Sequence, residues 1–150
     1  MTQRVKWSHN NPGVSAMRQV EAYLAQALDQ KLLALVKMRA SQINGCAYCL
    51  HMHSEEARRL GERDDRLLLL DAWRESALYT EDERAALAWT ESLTMIAQTH
   101  APDEFFAEVK RRFSTEQLVA LTIAVAMINA WNRLAIGFRA EHPSDLRNAA

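Results

Sequence analysis

The sequence predicts an all-α fold, and three observations carry that prediction. Only four glycines and three prolines punctuate 150 residues. No run sustains the period-two alternation of a half-buried strand, whereas apolar residues recur at three- and four-residue intervals in one segment after another. Two capping-box patterns, Thr80-Glu81-Asp82-Glu83 and Ser114-Thr115-Glu116-Gln117, each place a hydroxyl at a helix start and a carboxylate or amide three residues on.

The elements follow in order. VSAMRQVEAYLAQAL (14–28) and KLLALVKMRASQI (31–43) are amphipathic, and Asn44-Gly45 ends the second because glycine adopts the left-handed C-terminal conformation at least cost. A third helix runs from Cys46 through Leu60 and stops at Gly61, and DDRLLLLDAWRE (64–75) reads as a fourth. The first capping box opens ERAALAWTESLTMIAQ (83–98), which Pro102 closes off. DEFFAEVKRRF (103–113) is a short amphipathic helix, and the second box opens a long apolar one reaching residue 138. That makes about seven helices and no sheet. With no linker, repeat or low-complexity segment, residues 1–150 are expected to form one domain.

Composition excludes more than it identifies. A chain of this size buries roughly 68–70% of its unfolded surface, so no disulfide or metal is needed to hold its core. The apolar fraction is 49%, the charged fraction 25% and the net charge −1, with acids and bases interspersed. That pattern supplies neither a basic stripe for nucleic acid nor an acidic tail. The N-terminal MTQRVKWSHNNPG lacks the apolar region of a signal peptide, and a cytoplasmic location is expected. Residues 118–138 are the most lipid-like, but Asn129, Asn132 and Arg133 interrupt them. They read as a helix buried in a core or between subunits, so no membrane partner is expected.

INGCAYCLHMH (43–53) holds both cysteines and two of the five histidines. On a helix at about 100° per residue, Cys46, Cys49 and His53 fall within roughly 60° of one another, His51 points about 140° away from Cys46, and Tyr48 is nearly opposite. The cluster is therefore two thiols and one imidazole. A thiol near a helix start meets unpaired N–H groups and the positive end of the dipole, which favours the nucleophilic thiolate. A second thiol three residues on can capture a sulfenic acid as a disulfide, and an imidazole one turn beyond Cys49 can serve as its base. Two bland alternatives stay open. The cysteines could be small buried hydrophobes. Zinc would need a fourth ligand, and nothing in the spacing assigns His100 or a carboxylate to that role. A thioredoxin-type reading lacks its βαβ context.

LVKMRASQINGCAYCLHMHSEEARRLGE (35–62) closely resembles the signature of the alkylhydroperoxidase AhpD-like branch of the carboxymuconolactone decarboxylase family. ERAALAWTESLT (83–94) and INAWNRLAIGFR (128–139) resemble two further blocks of its short members, so the likeness spans residues 14–139. It implies an all-helical fold, a homo-oligomer (commonly a trimer or hexamer), and CxxC-dependent peroxide reduction; the residues themselves offer no phosphate-cradling glycine loop and no complete zinc ligand set, so neither an organic cofactor nor a metal is expected. It also implies roles: Cys49 as the peroxidatic thiol, His53 as its base, Cys46 as the resolving thiol, and an external thiol or dithiol as reductant. Family members that decarboxylate carboxymuconolactone lack the CxxC pair.

Two departures stand out. Ala34 occupies the position twelve before the first cysteine where the family places a relay glutamate, and His51 replaces an aspartate. Glu91, in the second block, is a candidate substitute carboxylate, because an unpaired glutamate at a helical core position is costly. An exposed or partner-facing Glu91 is the competing reading. His100 reads as structural at a helix end, and His9 and His142 lie in polar terminal segments without catalytic work. Trp73, Trp89 and Trp131 read as packing, and Asn129, Asn132 and Arg133 as polar groups at a helix crossing or subunit contact. The expected activity is that of a thiol peroxidase or related disulfide oxidoreductase. A redox-responsive regulatory module and a lactone-processing enzyme are the alternatives.

Overall fold

A computed structural model describes residues 2–8 and 10–142. His9 therefore lies outside the described residues. The element order is α1 (Pro12–Ala27), α2 (Gln30–Asn44), α3 (Ala47–Arg59), α4 (Asp64–Leu68), a 3₁₀ segment (Leu69–Glu75), α5 (Glu81–Thr94), α6 (Ile96–Thr99), α7 (Asp103–Arg112) and α8 (Thr115–Phe138). Among the described residues the fold is all-helical.

The predicted caps form. Thr80 accepts from Glu83 N–H while the Glu83 carboxylate takes Thr80 N–H, and Ser114 and Gln117 repeat the exchange at α8. Each box satisfies two N–H groups that the helix leaves unpaired, worth about 1 kcal/mol per capping side chain. Asn11 caps α1 with Pro12 in its first turn, and Asp29 caps α2 by accepting Leu32 N–H at 2.9 Å.

Two segments depart from the seven-helix expectation. Residues 64–75 form a short α-helix followed by the 3₁₀ segment, because the buried positions there are Leu67, Leu70 and Trp73, every third residue. A three-residue period fits 3₁₀ geometry better than the 3.6 of an α-helix. Residues 83–98 split at Met95 (φ −102°, ψ 32°), where Thr99 Oγ1 donates to the Ser92 carbonyl and ties α6 back across the bend.

Helix α2 is the hub, buried against α3, α5 and α8, with α1 and α7 closing the outside. Leu24, Leu33, Val36, Leu121 and Val125 form one core cluster; Leu35, Met38, Leu70 and Leu87 form another around the 3₁₀ segment. Truncating a fully buried leucine such as Leu35 or Leu121 to alanine would cost about 2–5 kcal/mol. Helix α8, long and apolar enough by composition to cross a membrane, instead buries Ala120, Leu121, Ala124, Val125 and Ile128 in this bundle.

The polar residues of α8 lie at the α2–α8 crossing. Asn44 Nδ2 donates to Asn129 Oδ1 (2.9 Å) and Asn132 Oδ1 (2.8 Å), and Asn132 Nδ2 donates to Ser41 Oγ (3.0 Å). Arg133 turns back to the Asn129 carbonyl at 2.9 Å. This network fixes the C-terminal turn of α2, the turn from which the two cysteines are launched.

Candidate active site

The end of α2 aims the CxxC. Gly45 sits at φ 69°, a conformation that a side chain would strain, and Cys46 N–H bonds back to the Ser41 carbonyl at 3.0 Å while Gly45 N–H reaches Gln42. The chain then re-enters a helix with Cys46 as the N-cap of α3 and Cys49 in its first turn. Cys46 and Cys49 are joined as a disulfide with Cα atoms 5.4 Å apart, and Cys46 Sγ accepts Cys49 N–H at 3.3 Å. The structure thus shows the oxidised form of the pair. Both sulfurs are almost wholly covered, at 1% and 2% residue exposure, among Ala40, Ile128 and Ala135.

His53 lies one turn beyond Cys49, 5% exposed. Its Nδ1 is 2.8 Å from Glu56 Oε2. The hydrogen bond from His53, opposed by partial burial and helped by the positive charges of His53, Lys37 and Arg59, holds the Glu56 carboxyl below its usual range. An ionised carboxylate can only accept, so Nδ1 holds a proton toward Glu56, and Nε2 is the nitrogen left to exchange one with a thiol.

Cys49, His53 and Glu56 share a cleft of about 620 Å³ between α1, α2, α3 and α8. Trp7, Leu33, Tyr48, Met52 and Trp131 give it apolar walls, and Arg18 stands at its margin. A second acid–base pair lies within it: the buried Lys37 holds its Nζ 2.6 Å from Oε2 of the partly buried Glu21, and Trp131 Nε1 donates to Glu21 Oε1 at 3.0 Å. The site therefore holds two carboxylates, Glu56 beside the imidazole and Glu21 beside a lysine.

Neither is the carboxylate expected from the sequence. Ala34 is buried in apolar surroundings and offers nothing to a relay. Glu91, the candidate substitute carboxylate, is engaged elsewhere. It is 7% exposed, accepts from Arg39 Nε at 2.7 Å, Trp73 Nε1 at 2.8 Å and Arg74 Nη1, and does not line the thiol cleft. Burial pushes its carboxyl up, but the bonds from Trp73, Arg74 and Arg39 outweigh that and hold it below the usual range. Its three donors come from α2 and the 3₁₀ segment, so Glu91 clamps that segment to the bundle.

Other residues sort plainly. Trp89 donates to Thr122 Oγ1, Trp73 to Glu91, and Trp131 lines the cleft rather than only packing. His51 faces away from the larger cleft, its ring 4.5 Å from that of His142. His100 caps α6 in a left-handed conformation at the surface. Sequence reasoning missed Glu56, Glu21 and Lys37. The first had a signal, since it stands three residues after His53 on one helix face. The Glu21–Lys37 pair joins two helices and has none.

Comparison with known proteins places this geometry. Residues 13–92 match the model of the Carboxymuconolactone decarboxylase family. The chain is 38% identical over 138 residues to the uncharacterized protein YdfG of Bacillus subtilis, covering 91% of this chain and 94% of that one. A crystal structure of a protein of unknown function from Agrobacterium tumefaciens, a suggested antioxidant defence protein AhpD, superposes with a TM-score of 0.90. It shares 42% identity and covers 95% of this chain and 99% of its own. The debrominase Bmp8 shares the fold at a TM-score of 0.77 and 23% identity, over 92% of this chain and 75% of its own. The chain belongs to the carboxymuconolactone decarboxylase family.

Proposed function

We propose that this protein is a thiol-dependent peroxidase of the alkylhydroperoxidase type, working in the cytoplasm as a homo-oligomer, a trimer or hexamer. The observation that carries the reading is the shared cleft: Cys49 and His53 open to the same apolar-walled space, with the ring anchored by Glu56. In the reduced protein, His53 takes the Cys49 proton. The thiolate attacks the terminal peroxide oxygen, the O–O bond breaks, and the leaving alkoxide takes a proton to become the alcohol. Cys46 then attacks the Cys49 sulfenic acid, water leaves, and the disulfide present in this structure results. An external dithiol, or two external thiols, is oxidised to a disulfide as both protein thiols are restored.

The apolar walls favour an organic hydroperoxide over hydrogen peroxide, because they reward burial of its alkyl part. No metal or organic cofactor enters this chemistry. Peroxide consumption with a dithiol donor tests the proposal. Turnover is expected in the wild type and absent in Cys49→Ser; turnover that survives in Cys49→Ser refutes it. Activity independent of both cysteines would instead support the lactone-processing reading. Oxidation without turnover would support a redox sensor.

A further inference from the structure

A second cleft meets the disulfide from the other side. It holds about 210 Å³ and is lined by Gly45, Cys46 and Ala47 together with Ile136, Arg139 and Ala140 of the α8 end. The two clefts divide the cysteines between them. The larger borders Cys49 and not Cys46; the smaller borders Cys46 and not Cys49. Tyr48 and Ala135 border both and form the wall between.

The smaller cleft also differs in chemistry. Among the described residues no carboxylate lines it; Arg139 is its permanent cation and the His142 imidazole stands beside it, while Glu141, nearby in sequence, is not among its walls. Its volume lies below the about 300–1,000 Å³ of sites for drug-sized ligands. It suits a short arm ending in a thiol, with an anionic group held near the guanidinium.

We propose that this cleft is the reductant site, where a low-molecular-weight thiol bearing a carboxylate attacks Cys46 Sγ. The proposal rests on the reading of the CxxC as a centre that cycles between dithiol and disulfide. The incoming thiolate forms a bond to Cys46 Sγ, the Cys46–Cys49 bond breaks, and the electron pair leaves on Cys49, where His53 can supply a proton. A second thiolate then attacks the external sulfur of the mixed disulfide. The small-molecule disulfide departs, and Cys46 leaves as a thiolate stabilised at the helix N-cap by Cys49 N–H. Two substrate thiols are oxidised and one protein disulfide is reduced. Peroxide and reductant thus reach different sulfurs through different openings and need not displace each other.

The test reads the two half-reactions separately. Protein oxidised with diamide is mixed with 3-mercaptopropionate, 2-mercaptoethanol or cysteamine, and disulfide loss is compared per thiolate. The anionic thiol should react fastest. Arg139→Gln should remove about two- to fivefold of that advantage, the size of one exposed charge contact, and leave mercaptoethanol unaffected. Ile136 is a half-exposed wall residue, so a tryptophan there can fill the cleft without entering the core. Ile136→Trp should slow reduction by all three thiols about tenfold or more, a barrier rise of about 1.4 kcal/mol. Oxidation of the reduced variant by cumene hydroperoxide should keep its rate, and Ala140→Phe provides an independent block. Acid quenching followed by peptide mass spectrometry should find the mixed disulfide on Cys46. An adduct on Cys49, or reduction unaffected by both blocking variants, overturns the proposal. If cumene hydroperoxide fails to oxidise the protein, the peroxidase reading falls, while the diamide-formed disulfide still reports which sulfur and which cleft the thiol uses.

Discussion

Replacing Glu91 with alanine separates a structural carboxylate from a catalytic one. The substitution removes the acceptor of three donors. Trp73 Nε1 is buried, its acceptor among the described residues is Glu91, and leaving such a group unpaired costs about 1–3 kcal/mol. Arg39 keeps Asp71 and Gln42 as partners, and Arg74 is half exposed and can be hydrated, so their loss adds only about 1 kcal/mol. The sum is about 2–4 kcal/mol, a fall in Tm of roughly 5–15 °C for a chain of this size. Glu91→Gln keeps an acceptor for Trp73 and should lose about half as much. Urea unfolding and calorimetry give the stability; stopped-flow oxidation of the reduced variants by cumene hydroperoxide gives the chemistry. The rate constant, measured where the variants are folded, should stay within about twofold of wild type, because Glu91 does not border the thiol cleft. A Glu91→Gln protein of near-native stability whose oxidation is slower by about 100-fold would refute this reasoning and return Glu91 to the proton relay.

Three further outcomes are expected. His53→Gln should slow oxidation of the reduced protein about 100-fold or more, and Glu56→Gln about tenfold, since the first removes the base and the second only its anchor; equal effects would contradict that division. Glu56 and Glu91 both titrate below their ordinary 4.5 in the folded state. The stability they contribute is therefore present above that pH and lost as pH falls through their lower folded values. The urea midpoint should drop on acidification below 4.5 and drop less steeply in Glu91→Gln, a parallel decline arguing against the assignment. Asn132→Ala should cost about 1–3 kcal/mol by stranding the buried Ser41 hydroxyl and leaving Asn44 Nδ2 with Asn129 alone, read as a lower urea midpoint; a neutral result would mean the α2–α8 network carries no weight.

The elements legible in sequence were those whose signal is local. The hydroxyl-to-carboxylate spacing at Thr80–Glu83 and Ser114–Gln117 named two helix starts, and Gly45 named a stop, because caps and left-handed turns depend on a few consecutive residues. Cys46, Cys49 and His53 shared a face by helical arithmetic alone, although Cys46 proved to be the cap rather than the first helical residue. The 3₁₀ segment was legible only in part. Its run of four leucines hides a three-residue burial pattern that emerges once Leu68 is seen exposed and Leu67, Leu70 and Trp73 covered. Glu91 drew attention correctly as a buried acid, but its partners are 52 and 18 residues away, and no sequence period reports them. The Glu21–Lys37–Trp131 set is similar: three helices meet there, and only packing decides which charges are enclosed.

Trapping the first oxidation product tests the central claim most directly. Cys46→Ser protein, reduced and treated with one equivalent of cumene hydroperoxide in the presence of dimedone, should carry a single sulfenic-acid adduct on the Cys49 peptide. Its formation should slow sharply when His53→Gln is added. No adduct at Cys49, with the thiol still free to alkylation, would contradict the account.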